Sequence, residues 1–232
     1  MKLAIMQPYF LPYIGYWQLM NAVDKYVIYD DVNFMKRGWI NRNRILMNGK
    51  AKIINIQMYG ASQNKLINEV ELLGDKKHNK KLLRTLESCY KKAPYFSSAY
   101  PIVEKIINKE EQKLIGYLEY SIKQICEYLS INTELIVSST INKNNDLKGQ
   151  DKILEICKIL GVDEYYNAIG GQELYSYEDF ESQNIKLKFL KTERINYKQF
   201  NDEFVPNLSI IDLMMFNSKE DIKKMLEQYE LL

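Results

Sequence analysis

The chain has 232 residues, 46% of them hydrophobic and 27% charged, with 32 Lys and Arg against 30 Asp and Glu. That is enough apolar material for a sizeable core without covalent staples, and a formal net charge of +2 gives no whole-molecule field to draw in nucleic acid. One histidine and three scattered cysteines (Cys89, Cys126 and Cys157) exclude a multi-histidine metal centre and a disulfide framework, which fits a reducing, cytoplasmic setting.

Residues 2–6 read as a short buried strand that stops at Gln7-Pro8. Pro12 and Gly15 punctuate a loop, and residues 14–22 carry a short amphipathic helix. Residues 25–30, rich in aromatic and β-branched side chains, form a second strand. A β-loop-α-β opening of this kind begins a parallel sheet. Residues 34–43 make a polar, basic loop, and 44–47 and 51–57 flank Asn48-Gly49, a strong hairpin turn. The middle is helical. Residues 76–91 carry an apolar stripe through Leu82, Leu83, Leu86 and Cys89; Pro101 opens a helix ending near Asn108; and 111–129 place Leu114, Leu118, Ile122, Ile125 and Leu129 on one face. The sheet resumes with strands at 133–139, 164–169 and 185–190, with a helix at 152–160 capped by Gly161. Two helices close the chain, 209–216 and 219–229, the first with Ser209 as N-cap and Asp212 at the capping-box position.

The expected class is therefore α/β: a parallel-type open sheet with flanking helices and a helical insertion at about 76–130, in a single domain spanning 1–232. The first ten residues are too short an apolar run, cut by Pro8, for a signal peptide. No stretch reaches the roughly 20 apolar residues of a membrane span, so no membrane insertion is expected.

Ligands of open parallel sheets bind outside the carboxyl ends of the strands. That places interest on residues 7–15, 30–43, 138–145 and 170–175. In the first stretch, Gln7 to Tyr16 runs from strand through loop to helix, so free helix N–H groups can meet an anion. The layout resembles the nucleotidyl-transferase class of α/β folds, where a His-x-Gly-His motif sits at this junction. Here the run is Pro12-Tyr13-Ile14-Gly15-Tyr16, without histidine. Asp30 and Asp31, at the end of the second strand, suit a Mg²⁺ ligand, a general base or a ribose hydroxyl acceptor, or a cap of the next turn. Residues 36–44 hold four cations (Lys36, Arg37, Arg42 and Arg44) with Trp39, Asn41 and Asn43 between them. Arg forks match phosphate oxygens, Trp39 offers a flat face, and the two Asn suit hydroxyls or amides. His78 lies one turn before Leu82, either as the sole imidazole acid/base or as a packed residue at a helix end. Gly170-Gly171 and the Ser138-Ser139-Thr140 hydroxyls are weaker signals at neighbouring strand ends. The chain holds no Walker A, G-x-S-x-G or complete G-x-G-x-x-G sequence.

The runs Gln7-Pro8-Tyr9-Phe10-Leu11-Pro12-Tyr13-Ile14-Gly15-Tyr16, Tyr29-Asp30-Asp31-Val32 and Lys36-Arg37-Gly38-Trp39-Ile40-Asn41-Arg42-Asn43-Arg44 resemble the signature of the WbqC-like family. Lys77-His78, the run from Tyr90 to Phe96 and the run from Leu208 to Leu213 also fit that pattern. The resemblance implies a setting among enzymes that build bacterial surface polysaccharides, O-antigens in particular. The reading it favours is an enzyme that transfers an acyl or aminoacyl group to the amine of a nucleotide-linked sugar. Arg37 and Arg42 would hold the diphosphate and Trp39 would stack on base or sugar. Asp30 or Asp31 would be base or metal ligand, and His78 the proton carrier. Its partners would be the nucleotide-linked sugar, an acyl or aminoacyl donor and, in a homodimer, a second copy of the chain. The reading assigns no cofactor, and Mg²⁺ is the one candidate. The alternatives are a nucleotidyl transferase or ATP-dependent ligase, and a non-catalytic nucleotide-sugar binding or scaffold protein.

Overall fold

The computed structural model describes residues 1–201 and 203–232. β1 (Lys2–Met6) leads through a Pro-rich loop into α1 (Ile14–Asn21) and β2 (Lys25–Ile28). A hairpin of β3 (Arg42–Met47) and β4 (Lys50–Asn55) follows, then the short pair β5 (Met58–Tyr59) and β6 (Glu71–Leu72). The helical insertion is α2 (Lys76–Tyr90), α3 (Phe96–Ile107) and α4 (Leu114–Leu129). The chain then returns through β7 (Glu134–Val137), α5 (Gly149–Ile159), β8 (Glu164–Ala168), α6 (Tyr177–Glu181) and β9 (Lys186–Thr192). It closes with α7 (Ile210–Phe216), α8 (Lys219–Met225) and β10 (Tyr229–Leu231).

Six strands form one sheet in the order β10-β9-β8-β1-β2-β7. β7, β2, β1, β8 and β9 run parallel, and β10 pairs antiparallel with β9. From β1 the chain builds outward through β2 to β7, then comes back to lay β8 and β9 on the opposite flank. The order reverses at β1, so the crevice between the carboxyl ends of β1 and β8 is the switch point of the sheet. Side chains alternate across the strands. Leu3, Ile5, Val27 and Phe189 pack on one face against Ile153, Ile156 and Cys157 of α5. Ala4, Tyr26, Ile28 and Tyr166 pack on the other face with α1, α7 and the helical insertion. Being covered on both faces is why β1 is a continuous apolar run rather than an alternating one.

Several local expectations shift. In the hairpin turn Asn48 and Gly49 both have positive φ, 51° and 72°, as a type I′ turn requires, but β3 begins at Arg42 rather than residue 44. α3 opens at Phe96, with Ala99 N–H already donating to the Tyr95 carbonyl, so Pro101 lies inside the helix. One hydrogen bond is forgone there to bury Ala99, Val103 and Ile106 on the same stripe. The expected helix 219–229 stops at Met225, and residues 229–231 become β10, which covers the otherwise open edge of β9. The fully buried Gln18 amide donates to the carbonyls of Met225 and Gln228 and holds that break in place. Gly161, at φ 67°, follows the last turn of α5 as expected. All three cysteines are free, and no helix among the described residues is long and apolar enough to cross a membrane.

Ser209 caps α7 by accepting from the Ile211 N–H, but Asp212 does not reach back to complete a capping box. It is fully buried and accepts from the Tyr90 hydroxyl at 2.8 Å, the Tyr197 hydroxyl at 2.7 Å and the Gln199 amide at 2.8 Å. Burial raises its carboxyl above the usual range, against the lowering effect of the three donors. A carboxyl raised in the folded state contributes stability below its unfolded pKa and loses it as pH rises through the folded value. The wild type should therefore lose stability relative to Asp212→Asn from about pH 4 upward. Urea unfolding of both proteins across pH checks this; a constant difference between them would refute it.

Candidate functional site

The loop after β1 is fixed by the basic segment that lies against it. Asn43, 4% exposed, donates its amide to the carbonyls of Phe10 and Leu11 at 3.0 and 2.9 Å and accepts from the Arg44 N–H at 2.8 Å. That clamp holds Leu11 at a positive φ of 45°. The Phe10 N–H donates to the Trp39 carbonyl at 3.0 Å. Tyr16 is buried among Tyr9, Trp17 and Tyr26, and its hydroxyl donates to the Gln7 carbonyl at 3.2 Å. Asn43, Tyr16 and the Gln7 backbone thus fix the loop after β1. Gly15 is needed there, because a Cβ would stand 2.5 Å from the Tyr13 hydroxyl and 2.6 Å from Thr192 Oγ1.

Residues two apart on a strand point to the same side, and Arg42 and Arg44 both stand over Trp39, at 5.8 and 5.4 Å from its ring. Arg42 Nε donates to the Gly38 carbonyl at 3.0 Å and its Nη2 to the Arg37 carbonyl, so it also ties down the loop in which Arg37 sits at φ 62°. Arg44 Nη2 donates to the Asn207 carbonyl at 3.0 Å. On one side of this stack is a pocket of about 300 Å³ lined by Trp39, Arg44, Asn207 and the Tyr9–Tyr13 loop. On the other is a groove of about 480 Å³ over an apolar floor of Phe34, Ile53 and Met58. Lys36, Arg37, Asn41, Arg42 and Asn55 line it, and among the described residues no carboxylate does. Asn41 is also anchored, donating to the Ile56 carbonyl at 3.3 Å.

His78 comes to this region from the first turn of α2, whose N-cap Asp75 accepts from the Lys77 and His78 N–H groups. It is half-buried, and its ring reaches the edge of β4. Its Nε2 lies 2.9 Å from the carbonyl of Asn55, the residue paired with Arg42 across the ribbon. A carbonyl only accepts, so the neutral ring carries its proton on Nε2 and leaves the Nδ1 lone pair open. His78 also lines a cavity of about 710 Å³.

The two aspartates stand apart from these cavities. Asp30, 1% exposed, accepts from the Ser139 N–H at 2.9 Å and from the Ser139 hydroxyl at 2.7 Å. Asp31 pairs with Lys143 at 2.8 Å and Lys152 at 3.1 Å, and the three side chains are 7, 1 and 6% exposed. Burial pushes the Asp31 carboxyl up, but the Lys143 and Lys152 ammonium groups outweigh it and hold the group below the usual range. Both carboxylates therefore brace β2 against the turn after β7 and against α5. Two buried ammonium groups beside Asp31 oppose a further cation there. No group of three or more His, Cys, Asp or Glu among the described residues could hold a metal ion. Reading the sequence missed Lys143, Lys152, Asn55 and Tyr117. Lys143 and Lys152 pair with Asp31 from more than a hundred positions away, a separation that no local pattern reveals.

The sequence profile of the WbqC-like protein family matches residues 7–224, from the end of β1 to the last turns of α8. The chain belongs to the WbqC-like protein family. This WbqC-like protein is similar to "Uncharacterized protein Rv1507c" of Mycobacterium tuberculosis (strain ATCC 25618 / H37Rv), 30% identical over 220 residues that cover 92% of each chain. No solved structure matches it. Every residue that lines the groove, the Trp39 pocket and the His78 cavity lies inside the span shared with the WbqC-like family.

Proposed function

We propose that this WbqC-like protein is a cytoplasmic enzyme of bacterial surface-glycan biosynthesis that acts on a nucleotide-linked amino sugar, transferring an acyl or aminoacyl group to the sugar amine. The observation that carries the reading is the groove with Lys36, Arg37 and Arg42 and no opposing carboxylate among the described residues. Three cations without a counter-charge suit a diphosphate, which Arg37 would grip through paired N–H donors while Arg42, its Nε and Nη2 already donating to backbone carbonyls, adds its charge and Nη1. The Trp39 pocket beside it offers aromatic walls to a base.

Contacts run continuously from Trp39 to Arg42, across the ribbon to Asn55, and on to His78. A ligand laid along them would have its base at Trp39, its phosphates over Arg37 and Arg42, and its sugar near His78. In the reaction the sugar amine attacks the carbonyl carbon of an activated acyl donor. A C–N bond forms, the bond to the donor's leaving group breaks, and the amine proton passes to His78 Nδ1. With Asp30 and Asp31 engaged in bracing, His78 is the base this arrangement leaves. Mg²⁺, if it takes part, would travel with the phosphates.

Charge-assisted hydrogen bonds contribute about 1.5–3 kcal/mol each. Arg37→Ala and Arg42→Ala should each weaken nucleotide-sugar binding by roughly tenfold or more in calorimetry. Wild-type affinity in both variants would move the diphosphate elsewhere. The reversal of strand order beside the start of α1 favours a second reading, nucleotidyl transfer or ATP-dependent ligation. Pyrophosphate release from ATP in the presence of an acid substrate would select it, and binding without turnover of any donor would leave a scaffold protein.

A further inference from the structure

The cavity of about 710 Å³ lies between the first turn of α2, the strand end after β4, and the turn that joins α3 to α4. Its size falls in the range of about 300–1,000 Å³ typical of small-ligand sites. Its charges cancel: Asp75, Glu110 and Glu111 stand against Lys76, Lys80 and Lys109, with Lys76 and Glu110 paired at 2.6 Å. Much of the polar lining is already spent. Asp75 caps α2, Glu111 accepts from the Gln112 and Lys113 N–H groups, and the Asn79 amide donates to the Ile107 carbonyl.

Two buried groups of the lining are not spent. Tyr117, on α4, is 3% exposed, and its hydroxyl makes no hydrogen bond to any described residue. Gln57 Oε1 is buried and equally unpartnered among the described residues. An unmet buried polar group destabilises the fold, so both call for a partner. One group donates and the other accepts. A hydroxyl on a ligand does both, and the apolar Ile56 and Leu72 in the same wall suit the face of a ring.

We infer that this cavity is a binding site for a neutral, hydroxyl-bearing ring, a monosaccharide unit, with Tyr117 donating to and Gln57 accepting from its hydroxyls. The cancelled charges disfavour an anion, and the unspent polar pair disfavours an apolar ligand. The link from this ring to the basic groove rests on the proposed function; the ring site itself rests on its own lining. It would set the sugar against His78, which lines this cavity and meets the carbonyl of Asn55 at the edge of the groove.

The test is saturation-transfer NMR with glucose, galactose and N-acetylglucosamine, one at a time, on the wild type, Tyr117→Phe and Gln57→Ala. Tyr117→Phe keeps the ring that packs in the core and removes only the hydroxyl. At least one sugar should bind the wild type, with affinity about tenfold lower in each variant. No binding by any of the three, or equal binding in all three proteins, would overturn the site and leave a water-filled cavity. A parallel titration with UDP separates the two claims: it should be insensitive to Tyr117→Phe and sensitive to Arg42→Ala. Sugar binding that depends on Tyr117 alongside no UDP binding would retain the ring site and discard the diphosphate reading.

Discussion

Replacing His78 with asparagine is expected to lower turnover by about 10²–10⁴-fold, the usual worth of a general base, with nucleotide-sugar affinity close to wild type. Asparagine can still donate toward the Asn55 carbonyl that His78 Nε2 now meets at 2.9 Å. It cannot take up a proton near neutral pH. The backbone capping of α2 by Asp75 uses the residue-78 N–H and not its side chain, so the helix start should survive. kcat and KM measured on a nucleotide sugar that calorimetry shows to bind would decide the matter. A loss confined to kcat supports proton transfer by His78. A loss confined to KM assigns it to binding, and full activity removes it from the reaction.

Asp31→Asn is expected to destabilise the fold by about 3–5 kcal/mol, although the side chain keeps its shape. The substitution leaves Lys143 and Lys152 buried without a counter-charge, and breaking a buried ion pair from one side carries that penalty. The acid behaviour follows with a definite sign. The folded-state carboxyl is held below its ordinary value, so its contribution is present above the unfolded pKa and disappears as pH falls through the folded one. The gap between wild type and variant should be full at neutral pH and shrink below about pH 4. Urea unfolding at several pH values measures it. A variant within about 0.5 kcal/mol of wild type at neutral pH, the range of an ordinary surface change, would show that the three groups are not coupled.

The features that were legible in the sequence are those whose cause is local. β1 and β2 announce themselves as short apolar runs ended by Pro8 and by the paired aspartates. α2 and α4 show their stripes, and Asn48-Gly49 marks its hairpin. The basic cluster at 36–44 is visible because all its cations are neighbours in the chain. The misses have distant causes. Asp212 sits where a capping box would place it, yet Tyr90, Tyr197 and Gln199 draw it inward instead. Asp30 and Asp31 lie at a strand end, where catalytic carboxylates are often found, but the groups that occupy them come from the segment after β7 and from α5. Tyr117 reads as one more aromatic on the buried stripe of α4, and only the fold shows it among the residues that line a cavity, with its hydroxyl unpartnered. β10 has too few residues to carry a pattern of its own and exists because β9 offers it an edge.

The position of β1 bears on how the chain reaches this state. Leu3 pairs with Lys25 on one side and with Tyr165 on the other. The first partner is available almost as soon as β1 is synthesised, whereas the second follows only after the whole helical insertion. During that interval one flank of this apolar strand faces solvent with its backbone groups unpaired, a template for pairing with the wrong chain. Contacts so widely separated in sequence form slowly. The hairpin, α2 and α4 can organise locally in the meantime, but the crevice between β1 and β8 can close only once β8 arrives. The growing chain thus carries an exposed, aggregation-prone edge through most of its translation, and chaperones would find their target there.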